Sequence, residues 1–465
     1  MLPVIALAGR TNVGKSTLYN RLTGTRDALV ADYPGLTRDR QYGYASIPGH
    51  EFIVVDTGGL ADTENVLGDR VSLQAGAAFD EADAIVFMTD AREGLNANDE
   101  TIAQQLRKLN KPVYLTVNKS EGRDLHDVVS DFYSLGIGEP VAISATRGSG
   151  VELLVHRILD DLSPALYPEP QAPLDQGISV AVIGRPNVGK STLINRLLGE
   201  DRVLASDEPG TTRDSIYIPF EHDGTTLTLI DTAGIRRRAR VSEAIEKISV
   251  IKSLQAIEAA HVVIVLLDAT EGVTDQDAGL LGQVLTRGRG LVLAVNKWDG
   301  LAQSQRDNAR RLLDVKLPYL DFVKTHFISA LHGSGIREVL DEAKASYRAA
   351  TANIATTRIN RVLQDAVTRH PPPLVRGRRI KLRYAHQGGS NPPLFIVHGG
   401  QADKVPEAYR RYLANVFRKV FKLWGTPVRV EFRSTENPFS GRRNVLTPRQ
   451  QRSRKRVQKF GRARR

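Results

Sequence analysis

Gly9-x-x-x-x-Gly14-Lys15-Ser16 and Gly184-x-x-x-x-Gly189-Lys190-Ser191 have the residue types and spacing of a phosphate cradle. Glycines let successive backbone N–H groups turn toward an anion, a following helix adds its N-terminal dipole, and a lysine supplies a mobile positive charge. Two stretches are therefore expected to wrap the phosphates of a nucleotide. The first is Gly9, Arg10, Thr11, Asn12, Val13, Gly14, Lys15, Ser16 and Thr17; the second is Gly184, Arg185, Pro186, Asn187, Val188, Gly189, Lys190, Ser191 and Thr192. In such a loop Lys15 or Lys190 acts on the β and γ groups, and Ser16 or Ser191 takes Mg²⁺. A glycine-rich turn without a ligand explains one such motif; two in register with everything downstream argue against it.

Further residues complete two nucleotide sites. Asp56-Thr57-Gly58-Gly59 and Asp231-Thr232-Ala233-Gly234 each end an apolar run, which puts the aspartate near Mg²⁺ through water and the last glycine N–H near the γ-phosphate. Thr37 and Thr212, at matching distances from both neighbouring motifs, read as switch threonines that close on Mg²⁺ when the γ-phosphate is present. The base is chosen by Asn296-Lys297-Trp298-Asp299, whose carboxylate can accept both the N1 and N2 protons of guanine, a pair that adenine lacks. Ser329 and Ala330 direct backbone N–H toward the guanine oxygen. The first copy has Asn118, Lys119 and Glu121 with Ser144 and Ala145; its glutamate is one methylene longer, which predicts looser guanine selectivity there. Leu60 and Ile235 stand where a Ras-like enzyme carries the glutamine that orients water, so unaided GTP hydrolysis is expected to be slow.

The elements that must position these residues follow from an internal repeat. GRTNVGKSTLYNRL from Gly9 recurs as GRPNVGKSTLINRL from Gly184, identical at 12 of 14 positions. The same offset of 175 carries Pro34–Asp39 onto Pro209–Asp214 and Asp56 onto Asp231. In each copy short apolar runs precede the motifs (VIALAG, EFIVVD, AIVFMTD, VYLTVN, VAISA; then SVAVIG, LTLID, VVIVLLD, LVLAVN, THFISA) and helical stretches lie between them. That alternation predicts an α/β fold with a mainly parallel sheet and ligand loops at the strand C-termini. SPALYPEPQAP between the copies holds four prolines and reads as a semi-stiff linker. The boundaries expected are 1–162, a linker at 163–176, 177–351, 352–438 and a tail at 439–465.

Charge separates the ends of the chain. Of 465 residues, 356–440 carry 16 Lys/Arg against 5 Asp/Glu, and 441–465 carry 11 against none. With +12 overall, the first 355 residues are left at −10, so one end is suited to a polyanion. The tail, RRNVLTPRQQRSRKRVQKFGRARR, has too little apolar content to fold alone and is expected to be disordered in isolation and to bind phosphate, a solvated tail without function being the alternative. No cysteine is present, which excludes disulfides and thiolate metal sites and fits a reducing, cytoplasmic setting. No apolar run is long enough to span a membrane, and MLPVIALAGR reads as a buried strand, not a leader.

Two tandem domains with these motifs resemble the Der family, also called EngA or double-Era-like GTPases, over essentially the whole chain. The resemblance implies two P-loop GTPase domains that use GTP/GDP and Mg²⁺, then a small α+β KH-like domain and the basic tail. It further implies a monomeric partner of the large ribosomal subunit and its rRNA, acting in its assembly. In related GTPases an asparagine at the place of Asn12 and Asn187 helps hold K⁺ beside the phosphates; the other reading is a loop asparagine stabilising its own turn. Within the KH-like region, helix, strand (RRIKLRYAH), strand (PPLFIVHG), helix (PEAYRRYLANVFRKVFKLW) and strand (TPVRVEFR) are expected, without a GXXG loop. Tyr409, Tyr412, Phe417, Phe421 and Trp424 have helical spacing and read as core in preference to base-stacking residues.

Overall fold

The computed structural model describes residues 2–24, 42–57, 78–122, 129–166, 177–200, 202–203, 217–230, 250–375 and 378–434. Thr37, Gly58, Gly59, Leu60, Thr212, Asp231, Thr232, Ala233, Gly234, Ile235, most of the linker and the basic tail lie outside them.

The first copy runs β1 (Val4–Ala8), α1 (Lys15–Thr23), β2 (Tyr42–Ile47), β3 (His50–Asp56), β4 (Ala84–Asp90), α2 (Ala97–Leu106), β5 (Val113–Asn118), β6 (Val141–Ala142) and α3 (Val151–Leu166). Its sheet has the order β2-β3-β1-β4-β5-β6, parallel throughout except for the β2–β3 hairpin. Every residue of β1 and β4 is buried. Continuous apolar strands are what a parallel sheet covered on both faces requires.

The second copy repeats the plan with β7 (Ile178–Ile183), α4 (Lys190–Glu200), β8 (Arg202–Val203), β9 (Ile218–His222), β10 (Thr225–Ile230), α5 (Val250–Ala259), β11 (Val262–Asp268), α6 (Asp275–Arg287), β12 (Gly290–Asn296), α7 (Gln303–Lys316), β13 (Thr325–Phe327) and α8 (Ile336–Ala350). The order β13-β12-β11-β7-β10-β9-β8 is that of the first sheet read from the other edge, with β8 added. In both copies the first strand lies between its two parallel neighbours, so the phosphate loop leaves the middle of the sheet at its C-terminal edge, where open α/β sheets bind ligands.

The chain forms two compact units. One holds both α/β copies (Met1–Asn353) together with Gly389–Leu394 and Phe417–Arg429; the other holds Ile354–Gly388, Phe395–Val416 and the chain from Val430. Within the first unit the copies share an apolar cluster in which Tyr44, Ile53 and Val55 join Ile183, Leu254 and Ile257. Tyr44 donates its hydroxyl to the Leu254 carbonyl at 2.7 Å, and burial pushes that hydroxyl's pKa well up. Over its ring, 4.3 Å from the centroid, lies the Arg287 guanidinium. Arg287 also reaches Glu51 at 2.9 Å and pairs with Glu258.

The second unit contains α9 (Thr356–Arg369), β14 (Leu374–Val375), β15 (Arg378–Arg379), β16 (Lys381–Gly389), β17 (Leu394–Gly400), α10 (Glu407–Phe421, whose last turn belongs to the first unit) and β18 (Arg429–Ser434). The expected strand RRIKLRYAH is divided: Arg378–Arg379 pairs with β14, and a new strand starts at Lys381 in the sheet β16-β17-β18. Tyr409 and Phe417 are buried, as their spacing suggested, and Tyr409 and Tyr412 donate to the carbonyls of His370 and Ala366. Trp424 is 40% exposed. The helix stops at Phe421 and Lys422 turns left-handed (φ 57°), which takes Trp424 off the buried face. Among the described residues no helix is long and apolar enough to cross a membrane.

The side chain of Arg287 is only 9% exposed, so removing it takes a largely buried cation from both Glu51 and Glu258, of which Glu258 keeps Arg289 at 3.2 Å. Arg287→Ala is expected to cost about 3 kcal/mol and Glu51→Gln under about 1 kcal/mol. Thermal unfolding of the two variants checks the ranking.

Candidate nucleotide sites

The two phosphate loops have one construction. Gly14 and Gly189 occupy left-handed backbone (φ 101° and 100°) just before α1 and α4, and a Cβ on either would collide with the side-chain amide nitrogen of Asn118 or Asn296. Only glycine satisfies both demands. Asn12 (φ 66°) and Asn187 (φ 61°) are also left-handed, a conformation that asparagine tolerates better than most residues. Lys15, buried, donates to the carbonyls of Gly9 (2.8 Å) and Arg10 (2.7 Å), and Lys190 donates to that of Arg185 (2.6 Å). Burial pulls the Lys15 pKa down, with Asp56 opposing.

Asp56, at the buried end of β3, accepts from the Ser16 hydroxyl at 2.6 Å. Two hard oxygen donors thus converge beside the first phosphate loop, a donor set that suits Mg²⁺. Thr57 closes the same corner by donating to the Leu7 carbonyl at 2.6 Å. The side chains of Arg10 and Arg185 turn away from the loop onto α2 and α6: Arg10 pairs with Glu93 and with Asp99 (3.3 Å), Arg185 with Glu271 (2.7 Å) and Asp277 (3.0 Å). Asp99 and Asp277 complete the capping boxes of those helices, so each arginine ties its loop to a helix start.

The base-side loops are joined by the carboxamides of Asn118 and Asn296. The Asn118 amide donates to the Val13 carbonyl (2.7 Å), and its oxygen accepts from the Ala145 N–H (2.9 Å). Asn296 does the same with Val188 (2.7 Å) and Ala330 (2.8 Å). Lys119 and Lys297 hold left-handed backbone (φ 63° each). Lys119 donates to the Asn12 carbonyl and pairs with Asp90 at 2.5 Å; Lys297 pairs with Asp268 at 2.6 Å. Burial alone would raise the Asp90 and Asp268 pKa values, but the lysines and the hydrogen bonds at their strand ends outweigh it and hold both down. These two aspartates were missed in the sequence, although AIVFMTD and VVIVLLD both end in one at the same offset of 178 as the two Asn-Lys pairs.

The two base carboxylates differ. Asp299 is held below the ordinary range chiefly by the Ser329 hydroxyl and lies 3.4 Å from His332. Glu121 is held down by its own backbone N–H and then by the Ser144 hydroxyl, and Arg92 grips its Oε1 at 2.7 Å. The second copy has Thr270 where the first has Arg92, and Thr270 hydrogen-bonds Asp268 instead. A longer carboxylate therefore comes with a cation that restrains it.

A parallel sheet, a phosphate loop and an Asn-Lys base loop, all present twice, define a tandem GTPase. A family model for 50S ribosome-binding GTPases matches residues 4–119 and 179–297, and a model for the C-terminal KH-domain-like region of EngA bacterial GTPases matches 353–433. Curated relatives called GTPase Der include one from Methylococcus capsulatus, 57% identical with 98% of each chain covered. Others come from Thioalkalivibrio sulfidiphilus (55%, 98% of each) and Escherichia fergusonii (51%, 99% of each). The chain belongs to the Der family of GTPases, and it binds and hydrolyses GTP.

In Lys190→Ala protein, which isolates the first site, the preference for GTP over inosine triphosphate is expected to be smaller than in Lys15→Ala protein, which isolates the second. Adding Arg92→Ala to the former should shrink it by a further ~2- to 5-fold, the range for a partly exposed ion pair. Competition binding measures this, and an unchanged preference would make Arg92 a bystander.

Proposed function

We propose that this GTPase acts in assembly of the large ribosomal subunit, in the cytoplasm and as a monomer, with nucleotide state gating its hold on ribosomal RNA. The observation that carries the reading is that both halves match a model described as a 50S ribosome-binding GTPase, on a chain whose C-terminal 110 residues carry +22. A charge of that density favours an RNA backbone through counterion release. The KH-like region and the tail are the parts that meet RNA, and the linker, which starts only after α3 ends at Leu166 and not at 163 as expected, lets the domains re-dock.

In this reading Lys15 and Lys190 bear on the β and γ groups, where each adds a positive charge to oxygens that gain negative charge in the transition state. Glu121 and Asp299 accept from guanine, and Ala145 and Ala330 offer backbone N–H to its carbonyl. Ser16, Asp56 and Thr37 would hold Mg²⁺ in one half, and Ser191, Asp231 and Thr212 in the other. Bound there, the ion neutralises phosphate charge. Thr37 and Thr212 make the γ-phosphate felt beyond the site, and Thr212→Ala separates nucleotide binding from switching. Two or three charge-assisted hydrogen bonds made only to the γ-phosphate supply roughly 3–9 kcal/mol before ordering costs, against ~5.5 kcal/mol to turn a 1:99 equilibrium into 99:1.

Leu60 and Ile235 cannot orient a water, so an outside element must raise turnover. Asn12 and Asn187 favour K⁺ for that role; their left-handed backbone also accounts for asparagine, and the two roles are compatible.

One assay tests the reading: GTP turnover in matched KCl and NaCl, with and without separated ribosomal subunits, followed by cosedimentation in GTP and GDP. Faster turnover in KCl and GTP-dependent cosedimentation with the large subunit are expected. Equal rates in both salts would remove the ion, and equal sedimentation with GTP and GDP would remove the gating.

A further inference from the structure

β16 and β17 place a cluster of rings on the sheet of the second unit that the reading above does not use. Ala385, Phe395 and Val397 are fully buried. At alternate positions Tyr384, His386 and His398 gather together, as the two-residue repeat of a strand dictates. His386 and His398 stack with centroids 5.2 Å apart and planes 15° apart. Tyr384 packs against both, 5.6 Å from His386 and 5.9 Å from His398. A cross-strand cluster of this kind stabilises a sheet by roughly 0.2–1 kcal/mol per pair, which would suffice were the rings covered. They are not. Tyr384 is 45% exposed, and Gly400, two positions beyond His398, is exposed with nothing within 4 Å of where a Cβ would stand. Open space therefore adjoins the ring cluster.

The surrounding charge identifies the occupant. Arg379, Lys381 and Arg383, which lead into Tyr384, are all exposed, and no acidic residue occurs from Ala366 to Ala402. On β18, Glu431 is paired by Arg433 at 3.7 Å. A ligand that offers a flat π face and negative charge a few ångströms away is a nucleotide in a single strand. In a duplex the base faces are hidden in the stack, and recognition falls to shape and backbone contacts.

We propose that Tyr384, with His386 and His398 behind it, is a stacking platform for an unpaired RNA base, and that Lys381 and Arg383, which leave the opposite face of this edge strand, supply the positive field that draws the RNA backbone to that edge. The proposal rests on the RNA-binding reading of the C-terminal region and gives that reading a site. It needs no GXXG loop.

The test uses the full-length protein and two probes, a single-stranded 12-nucleotide RNA without self-complementarity and a 12-base-pair RNA duplex, titrated by fluorescence anisotropy over a range of KCl. Tyr384→Ala should weaken single-strand binding about 5- to 100-fold while leaving its salt slope unchanged, since stacking involves no counterion. Tyr384→Phe should stay within about twofold of the unmodified protein, because the ring and not the hydroxyl is used. Lys381→Ala and Arg383→Ala should each reduce the slope, by at most about 0.7. Undiminished binding by Tyr384→Ala, an equal loss for Tyr384→Phe, or an equal loss on the duplex would each overturn the platform. Cosedimentation of Tyr384→Ala with ribosomal subunits separates the two levels: a platform that fails while the unmodified protein still cosediments leaves the ribosomal reading standing, and an unmodified protein that binds neither RNA nor subunits removes both.

Discussion

One carboxamide in each half holds the nucleotide site together. Asn118 joins the phosphate loop, the base loop and the Ser144–Ala145 turn, and Asn296 repeats the arrangement. The job needs a donor and an acceptor about 2 Å apart on one rigid group, which only an amide side chain offers at this length. Aspartate would set a carboxylate against the Val13 carbonyl; leucine would leave both partners buried and unpaired, at about 1–3 kcal/mol each. The asparagine also dictates its neighbours. Gly14 and Gly189 must lack a Cβ partly because the amide nitrogen occupies that space. A residue more than 100 positions away thus explains a glycine in the motif.

The duplication supplies an internal control for the remaining parts. Arg10 and Arg185 make the same pairs with a capping box, and Lys119 and Lys297 lean on equivalent strand-end aspartates. Where the copies part, the changes come in pairs: Glu121 with Arg92, Asp299 with Thr270. The halves are also in contact within one unit, since the β2–β3 hairpin of the first packs Tyr44 and Glu51 against α5 and α6 of the second. That hairpin begins five residues after Thr37, and α5 ends 28 residues after Asp231, so the contact lies between segments that flank both proposed switches.

The fold and the phosphate loops were legible in the sequence because each motif demands a residue type at fixed short spacing, and the apolar runs between them mark buried strands. Asp90, Asp268 and Arg92 were not, since their partners lie on the next strand's loop and only the sheet order brings them together. Trp424 was misjudged for a local reason: helical spacing was extended past a terminus set by the left-handed turn at Lys422. Tyr384, His386 and His398 went unnoticed because a two-residue repeat split across two strands leaves no helical or motif signal. Thr37, Thr212 and the basic tail lie outside the described residues, and their roles rest on the motifs and charge alone.

We propose that each half contains an independently braced guanine-nucleotide site. Titration calorimetry with GDP tests it most directly, on the unmodified chain and on Asn118→Ala and Asn296→Ala. Two equivalents are expected to bind the unmodified chain, and each variant is expected to lose tenfold or more at the matching site with the other site's affinity preserved. A single equivalent in the unmodified chain, or two unweakened sites in either variant, would contradict it.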